Sequence, residues 1–171
     1  MPGYIIHIAI AKEYIRKHKE KDENIKEFID GTIQPDLIKP KSESHYGKSP
    51  AYTNLKKYLE NNKIDNSFKK GEFLHLIADY LFYNFYLDKI DKEIIHNDYD
   101  ILNDDLIKKY EINYIPNRVK NNIFFKEGKT KILDKNLILK VIDEISSLNI
   151  YEVEKEVMEN NKKWNNYKNL I

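Results

Sequence analysis

The sequence of 171 residues contains no cysteine, which excludes disulfide bonds, thiolate metal sites and cysteine nucleophiles. A strong charge of either sign is also missing, because 29 lysine and arginine residues are balanced by 28 aspartate and glutamate residues, for a formal net charge of +1. Binding to a nucleic-acid backbone through bulk electrostatics is therefore not indicated by charge, although a small site could still act on phosphates.

Long apolar runs are absent as well. The most apolar stretch, residues 73–87, is interrupted by His75, Asp79 and Asn84, so no transmembrane segment is predicted. The amino terminus has neither a basic region nor a cleavable apolar segment, which predicts a cytoplasmic protein. The length fits a single domain spanning residues 1–171, with a core large enough to fold without covalent cross-links.

Helical periodicity dominates the sequence and no run alternates as a strand does, so the predicted fold class is all-α, a single-domain multi-helix bundle. Gly31 is predicted to end the second helix as a left-handed cap. Residues 32–49 contain two prolines and no sustained period, which predicts a long loop of functional importance. One predicted helix is capped by Asn66 or Ser67 and carries residues 71–87. The other predicted helices cover residues 5–15, 22–30, 50–62, 98–110, 116–125, 134–148 and 149–167.

The most informative pair is His75 and Asp79, which are four residues apart in the most apolar stretch and therefore share one face of a helix. A carboxylate on such a face needs a partner of opposite charge, either a protonated histidine or a metal ion. The same spacing recurs in His18 with Asp22 and in His96 with Asp100. The first of these pairs lies in a run of charges typical of a solvated helix end.

Polar residues of the types that bind metals lie on predicted apolar faces or in the predicted loop: His7, Asp36, His45, His75 and Asp79. Three imidazoles and two carboxylates, without sulfur, form a donor set typical of zinc or another divalent metal ion. Some members also have structural interpretations. His7 could be a hydrogen-bonded core histidine, Asp36 could cap a turn after a proline, and His45 could be an ordinary loop histidine.

Taken together, these residues form a pattern that resembles the zinc-dependent phospholipase C family, whose superfamily includes the single-strand-specific fungal nucleases. The pattern consists of Pro2-x-x-x-x-His7, Gly31-x-x-x-Pro35-Asp36, Ser44-His45-Tyr46 and Gly71-x-x-x-His75-x-x-x-Asp79. It covers roughly the first half of the chain. The resemblance implies a helical bundle of the phospholipase C and nuclease type that encloses a metal site with two or three ions.

The resemblance also implies roles for individual residues. One metal would be held by Asp36, His45, His75 and Asp79. A second would be held by His7, by Asp79 as a bridge, and by the amine and carbonyl of the N-terminal residue. The later histidines that complete a third site in this family are missing, and the nearest candidates are His96, Asp98 and Asp100. Their alternative interpretation is that Asn97 or Asp98 caps a helix and that His96 is exposed.

The function expected from this resemblance is hydrolysis of a small phosphate ester or phosphodiester, with Asp36 as general base. Tyr4, Tyr46, Tyr80 and Tyr83 could shape the substrate site, although tyrosines at this spacing also pack in cores. An alternative is a divergent, catalytically weak member in which the metal is structural. A helical phosphohydrolase with an adjacent His-Asp pair ranks last, because this sequence contains no such dipeptide.

Overall fold

The computed structural model describes residues 3–18 and 20–168, and these ranges contain helices but no strand. The α-helices are α1 (Tyr4–His18), α2 (Ile25–Leu37), α3 (Lys41–His45), α4 (Leu55–Asn61), α5 (Ser67–Leu81), α6 (Lys92–Lys109), α7 (Asn117–Lys120), α8 (Lys135–Ser146) and α9 (Ile150–Met158). Short 3-10 turns span Pro50–Tyr52 and Lys162–Asn165, and a π-helical turn spans Phe82–Tyr86. The prediction of an all-α fold is confirmed. Within the described ranges, no helix combines the length and the apolar character needed to cross a bilayer.

Helix α5 lies at the centre of the fold. Every residue from Gly71 to Phe82 is buried, which explains why this stretch is apolar around its whole circumference rather than on one face. The most extensive helix pair is formed by α2 and α5, while α1 packs against α2, α5, α6 and α8. The histidine and aspartate of α5 therefore lie inside the protein, facing several other helices.

Two glycines set the close approach of α2 and α5. A Cβ atom added at Gly31 would lie 2.0 Å from the carbonyl oxygen of Phe68, and one added at Gly71 would lie 2.1 Å from the carbonyl oxygen of Phe28. Only glycine allows the two backbones to meet at these points. The prediction that Gly31 ends the second helix is wrong, because α2 continues through it to Leu37.

The predicted long loop is also wrong over most of its length. Helix α2 passes through Pro35 and ends two residues later, which is consistent with the hydrogen bond that a proline removes from a helix interior. After a short break, residues 41–45 form α3, which ends at Tyr46 in the left-handed conformation with φ of 57°. Asp36 and His45 are therefore held on helices rather than on a flexible connection.

Several helix boundaries differ from those predicted. The helix expected from residue 50 is divided into a 3-10 turn and α4, whose cap is Asn54. The last helix ends at Met158 instead of continuing to residue 167, and the helix expected over residues 116–125 shrinks to α7. The predicted cap at Asn66 is confirmed, and Asp134 and Asn149 likewise begin α8 and α9, because the side chain of each accepts a hydrogen bond from a backbone N–H of the following turn.

Helix α6 begins earlier than predicted, at Lys92, because Asp91 provides its cap. The interpretation of Asn97 or Asp98 as a helix cap is therefore wrong. The carboxylate of Asp98 is fully buried in α6 and accepts hydrogen bonds of 2.7–3.1 Å from the backbone N–H groups of residues 131–133. These hydrogen bonds attach the segment that precedes α8 to α6. This contact between distant parts of the chain could not be predicted from the local sequence.

Candidate metal centre

The five residues that the sequence singled out meet at one place in the core. Helix α1 contributes His7, α2 contributes Asp36, α3 contributes His45, and α5 contributes His75 and Asp79. Asp36 is 5% exposed and the other four are 0% exposed. Two groups have ligand atoms that all lie within 4.8 Å of one another, and each group could hold a metal ion: His7 with His75 and Asp79, and Asp36 with His45 and His75.

Asp79 lies between the histidines. Its Oδ2 atom is 2.9 Å from Nε2 of His45 and 3.5 Å from Nε2 of His75, and its Oδ1 atom is 3.3 Å from Nε2 of His7. Burial opposes ionisation of this carboxyl group, but its electrostatic interactions with the imidazoles of His75, His45 and His7 hold its pKa well below the ordinary value. The two carboxylate oxygens thus face two different sets of imidazoles.

The orientation of His75 is fixed by the neighbouring helix. Its Nδ1 atom lies 2.7 Å from the carbonyl oxygen of Thr32, which can only accept, so Nδ1 carries a proton and, in the neutral ring, Nε2 keeps a lone pair. Thr32 follows Gly31, the residue at which α2 meets the backbone of α5. The close helix contact therefore places the carbonyl group that sets the tautomer.

His45 is oriented in the same way by α3 and the end of α2. Its Nδ1 atom lies 2.8 Å from Oγ of Ser44 and 3.2 Å from the carbonyl oxygen of Lys41. The Ser44 hydroxyl donates to the carbonyl oxygen of Pro35 at 2.7 Å, so its oxygen accepts from His45. These contacts place a proton on Nδ1, and in the neutral ring they direct the lone pair of Nε2 into the cluster.

Three acceptor atoms consequently face one another. Nε2 of His45 and Nε2 of His75 are 3.3 Å apart, and Oδ2 of Asp79 completes the triangle. Lone pairs at such distances repel unless a proton or a cation lies between them. A tetrahedral ion with bonds of about 2.0–2.1 Å places its ligand atoms about 3.3–3.4 Å apart, so the triangle fits zinc or a similar divalent ion.

His7 completes the buried side of the cluster. Its ring stacks on His75 with the centroids 3.8 Å apart, and its Nδ1 atom has no hydrogen-bond partner among the described residues. Burial, together with the electrostatic effect of the adjacent His75 ring, lowers the pKa of His7 to about 4. At neutral pH the ring is therefore uncharged, which is the form of histidine that binds metals.

Asp36 forms the outer edge of the cluster. Lys41 donates to its Oδ1 atom and to its carbonyl oxygen, whereas Oδ2 is buried and has no hydrogen-bond partner among the described residues. Burial raises the pKa of this carboxyl group, but the electrostatic effects of the nearby His75 and His7 rings outweigh it and the pKa lies below the ordinary value. The sequence analysis missed Lys41, whose position five residues after Asp36 in the predicted loop gave no signal of contact.

A cavity of about 420 Å³ reaches Asp36 from the surface. Tyr4 and Tyr99 form part of its wall. Phe124, from the segment between α7 and α8, also lines it. The other four members of the cluster do not line this cavity. Asp36 is therefore the point at which a small molecule from solvent would first meet the cluster.

His96 and Asp100 occupy the other side of the same cavity, one helical turn apart on α6. Neither belongs to a ligand group among the described residues. His96 is exposed, as one interpretation of the sequence expected, and Asp100 lies 3.2 Å from Nζ of Lys126. Pro2 and the N-terminal amine, which the resemblance assigns to a second metal, lie outside the described residues.

The tyrosines separate into two sets. Tyr4 lines the cavity, and burial together with the nearby carboxylates of Asp79 and Asp36 raises the pKa of Tyr83. Tyr46 and Tyr80 pack elsewhere, against Tyr58 and Trp164. The sequence analysis did not single out Tyr99, which is 6% exposed, lines the cavity and has a pKa raised well above the ordinary value by burial and by Tyr83.

Comparisons with known proteins give no family for this chain. No family model matches it, and searches of curated proteins and of solved structures also find no match. The resemblance to the zinc-dependent phospholipase C family therefore depends on the residue pattern alone.

Proposed function

We propose that this chain is a metal-dependent hydrolase of phosphate esters or phosphodiesters, with zinc as the leading candidate among divalent ions. The observation that carries the proposal is the triangle of acceptor atoms from His45, His75 and Asp79, in which both imidazoles are held with a lone pair inward. Such a triangle is a costly arrangement for a core and a suitable one for a cation.

A bound divalent cation supplies an activated water and offsets negative charge on a phosphoryl oxygen. Asp36 is ionised at neutral pH and lies at the edge of the cluster that the cavity reaches, so it can accept a proton from a water molecule there. Lys41 holds one of its oxygens and leaves Oδ2 for this role. Asp36 is therefore the proposed general base.

The cavity supports a small substrate. Its volume of about 420 Å³ is within the range of small-molecule sites, and its wall combines aromatic rings with the amides of Asn103 and Asn122. Tyr4 and Tyr99 are placed to pack against the organic part of an ester whose phosphate lies near Asp36. A phosphate monoester or diester with a small organic group fits this space.

A structural role for the metal is the second candidate, and one observation favours it. Four of the five ligand residues have no exposed surface, and they join α1, α3 and α5, which are distant in sequence. An ion bound only by the folded chain would add its binding free energy to folding whether or not a substrate enters.

Metal analysis and hydrolysis assays on the same samples distinguish the two candidates. We expect the purified chain to contain divalent metal and to release para-nitrophenol from bis(para-nitrophenyl) phosphate, with loss on chelation and recovery on zinc addition. Asp36→Asn should abolish hydrolysis, whereas Asp104→Asn, an exposed control on α6, should retain it. Bound metal without hydrolysis of phosphate monoesters or diesters would favour the structural candidate, and a metal-free protein that cannot be loaded would contradict both.

A further inference from the structure

The segment that connects α7 to α8 presents two adjacent phenylalanines to solvent beside the cavity. Phe124 is 58% exposed and Phe125 is 57% exposed, and they are the most exposed large hydrophobic residues in the described chain. Large apolar side chains exposed at consecutive positions are candidates for a site of interaction. The remaining exposed apolar residues, Ile25, Phe85, Tyr151 and Met158, are not adjacent in sequence.

The same segment concentrates positive charge. Residues 117–131 include a single acidic residue, Glu127, in a chain whose overall formal charge is only +1. The basic residues of this segment, all exposed, are Arg118, Lys120, Lys126, Lys129 and Lys131. Apolar rings surrounded by cations are the composition expected of a surface that meets an anionic interface.

A second depression, of about 600 Å³, lies next to the cavity and continues the basic surface. Lys92, Lys126 and Lys131 line it, and it shares His96 and Asp100 with the cavity that reaches Asp36. Glu93 and Asp100 also line this recess, and Asp100 pairs with Lys126 at 3.2 Å, so the three lysines leave a small excess of positive charge that suits a phosphate group of an anionic lipid. The basic recess and the candidate active-site cavity therefore open side by side.

Hydrogen bonds hold this segment in place on α6. The N–H group of Lys126 donates to the carbonyl oxygen of Asp100 at 3.0 Å, and the side-chain amide of Asn103 donates to the carbonyl oxygen of Phe124 at 2.9 Å. Asp98 binds the backbone of residues 131–133. The two rings are thus presented from an anchored backbone, which lowers the entropy lost when they bind a partner.

We infer that Phe124, Phe125 and the surrounding lysines form a docking surface for an anionic phospholipid bilayer, with the cavity opening toward the lipid. The rings would enter the boundary between headgroups and acyl chains, and the lysines would bind the anionic headgroups. A bilayer is favoured over a nucleic acid because the exposed rings are fully apolar and the rest of the chain has a formal net charge of −3. This inference goes beyond the proposed hydrolysis, since docking requires no metal.

Sedimentation of the full chain with vesicles tests the inference directly. The vesicles are phosphatidylcholine alone, or phosphatidylcholine with one third phosphatidylglycerol, at low and at physiological salt. We expect binding to the anionic vesicles that weakens as salt rises. Phe125→Ser should weaken it about 10-fold, and the double variant Lys120→Gln/Lys129→Gln about 10-fold or more.

Matched controls change the same residue types elsewhere. Ile25→Ser removes an exposed apolar residue near the C-terminal end of α1. Lys57→Gln/Lys155→Gln removes two positive charges from α4 and α9, as many as the docking variant loses. Both controls should bind vesicles as the parent chain does. The docking variants should retain the parent metal content and hydrolysis of the soluble diester, so failure of docking and failure of the proposed hydrolysis give different results.

Four outcomes would overturn the inference. They are no binding to anionic vesicles, equal binding to both vesicle types, an equal loss in the control variants, or tighter binding to a single-stranded oligonucleotide that displaces the vesicles. The last result would assign the same surface to nucleic acid instead.

Discussion

Nε2 of His45 and Nε2 of His75 lie 3.3 Å apart, although each ring has its proton on the opposite nitrogen. The backbone carbonyls of Lys41 and Thr32 enforce this arrangement from two different helices, so neither ring can turn without losing a buried hydrogen bond. The sequence left open whether the cluster uses a protonated histidine or a metal ion. The geometry is suited to the metal ion when both rings are neutral, because their lone pairs then point to the centre.

The first prediction compares Asp79→Asn with His7→Ala. Asp79 contacts histidines through both oxygens, so its amide replacement should release metal from both ligand groups and lower the melting temperature. His7→Ala should weaken only the group on its own side. Metal content per chain and thermal melting with and without chelator measure the difference. Equal losses in the two variants, or a full metal load in Asp79→Asn, would reduce Asp79 to a core partner of the histidines.

The second prediction concerns the contact between α2 and α5. Gly31→Ala should lower the free energy of unfolding by about 3 kcal/mol or more, because its Cβ atom would overlap a backbone carbonyl and the helices must separate. The Thr32 carbonyl would move away from His75, so metal affinity should fall as well. Lys26→Ala, an exposed substitution on the same helix, is the control. A Gly31→Ala protein with the parent's denaturation midpoint would contradict the close packing described above.

The third prediction is a pH dependence of the metal-free protein. The pKa of His7 is about 4 in the folded state and about 6.5 in an unfolded chain, so the unfolded state binds more protons between these values. The free energy of unfolding should therefore fall as the pH drops from about 6.5 to about 4, by up to about 3 kcal/mol.

Denaturant titrations in chelator at several pH values measure this slope, and His7→Gln should flatten it. The carboxyl groups of Asp36 and Asp79, whose pKa values lie below the ordinary value, should lose their contribution only at lower pH. A parent chain with the same stability throughout this interval would contradict the buried, neutral state of His7.

The fourth prediction separates structural from metal-binding acids on α6. Asp98→Ala leaves three backbone N–H groups, one buried and two partly buried, without their acceptor and should cost about 3 kcal/mol, with no change in metal content once the protein is folded. His96→Ala, at an exposed position, should change neither the free energy of unfolding nor the metal content. A lower metal load in either variant would place a further ion at this helix.

The sequence was sufficient for the all-α class and for the five residues that meet in the core, because ligand-type residues on an apolar face have few other uses. It failed between residues 31 and 45. Local propensity treats Gly31 and Pro35 as helix breakers, whereas the gain from packing α2 against α5 keeps both inside a helix. Asp98 was interpreted as a helix cap and Lys41 was not considered. Both errors arise because the partners of these residues become their neighbours only in the folded chain.

A crystal structure of the chain grown with zinc, with an anomalous difference map at the zinc absorption edge, tests the metal centre most directly. We expect a peak bonded to Nε2 of His45, Nε2 of His75 and Oδ2 of Asp79 at about 2.0–2.2 Å. A cluster without an anomalous peak, in which the three atoms keep their separations of 2.9, 3.3 and 3.5 Å around a shared proton, would contradict the metal centre.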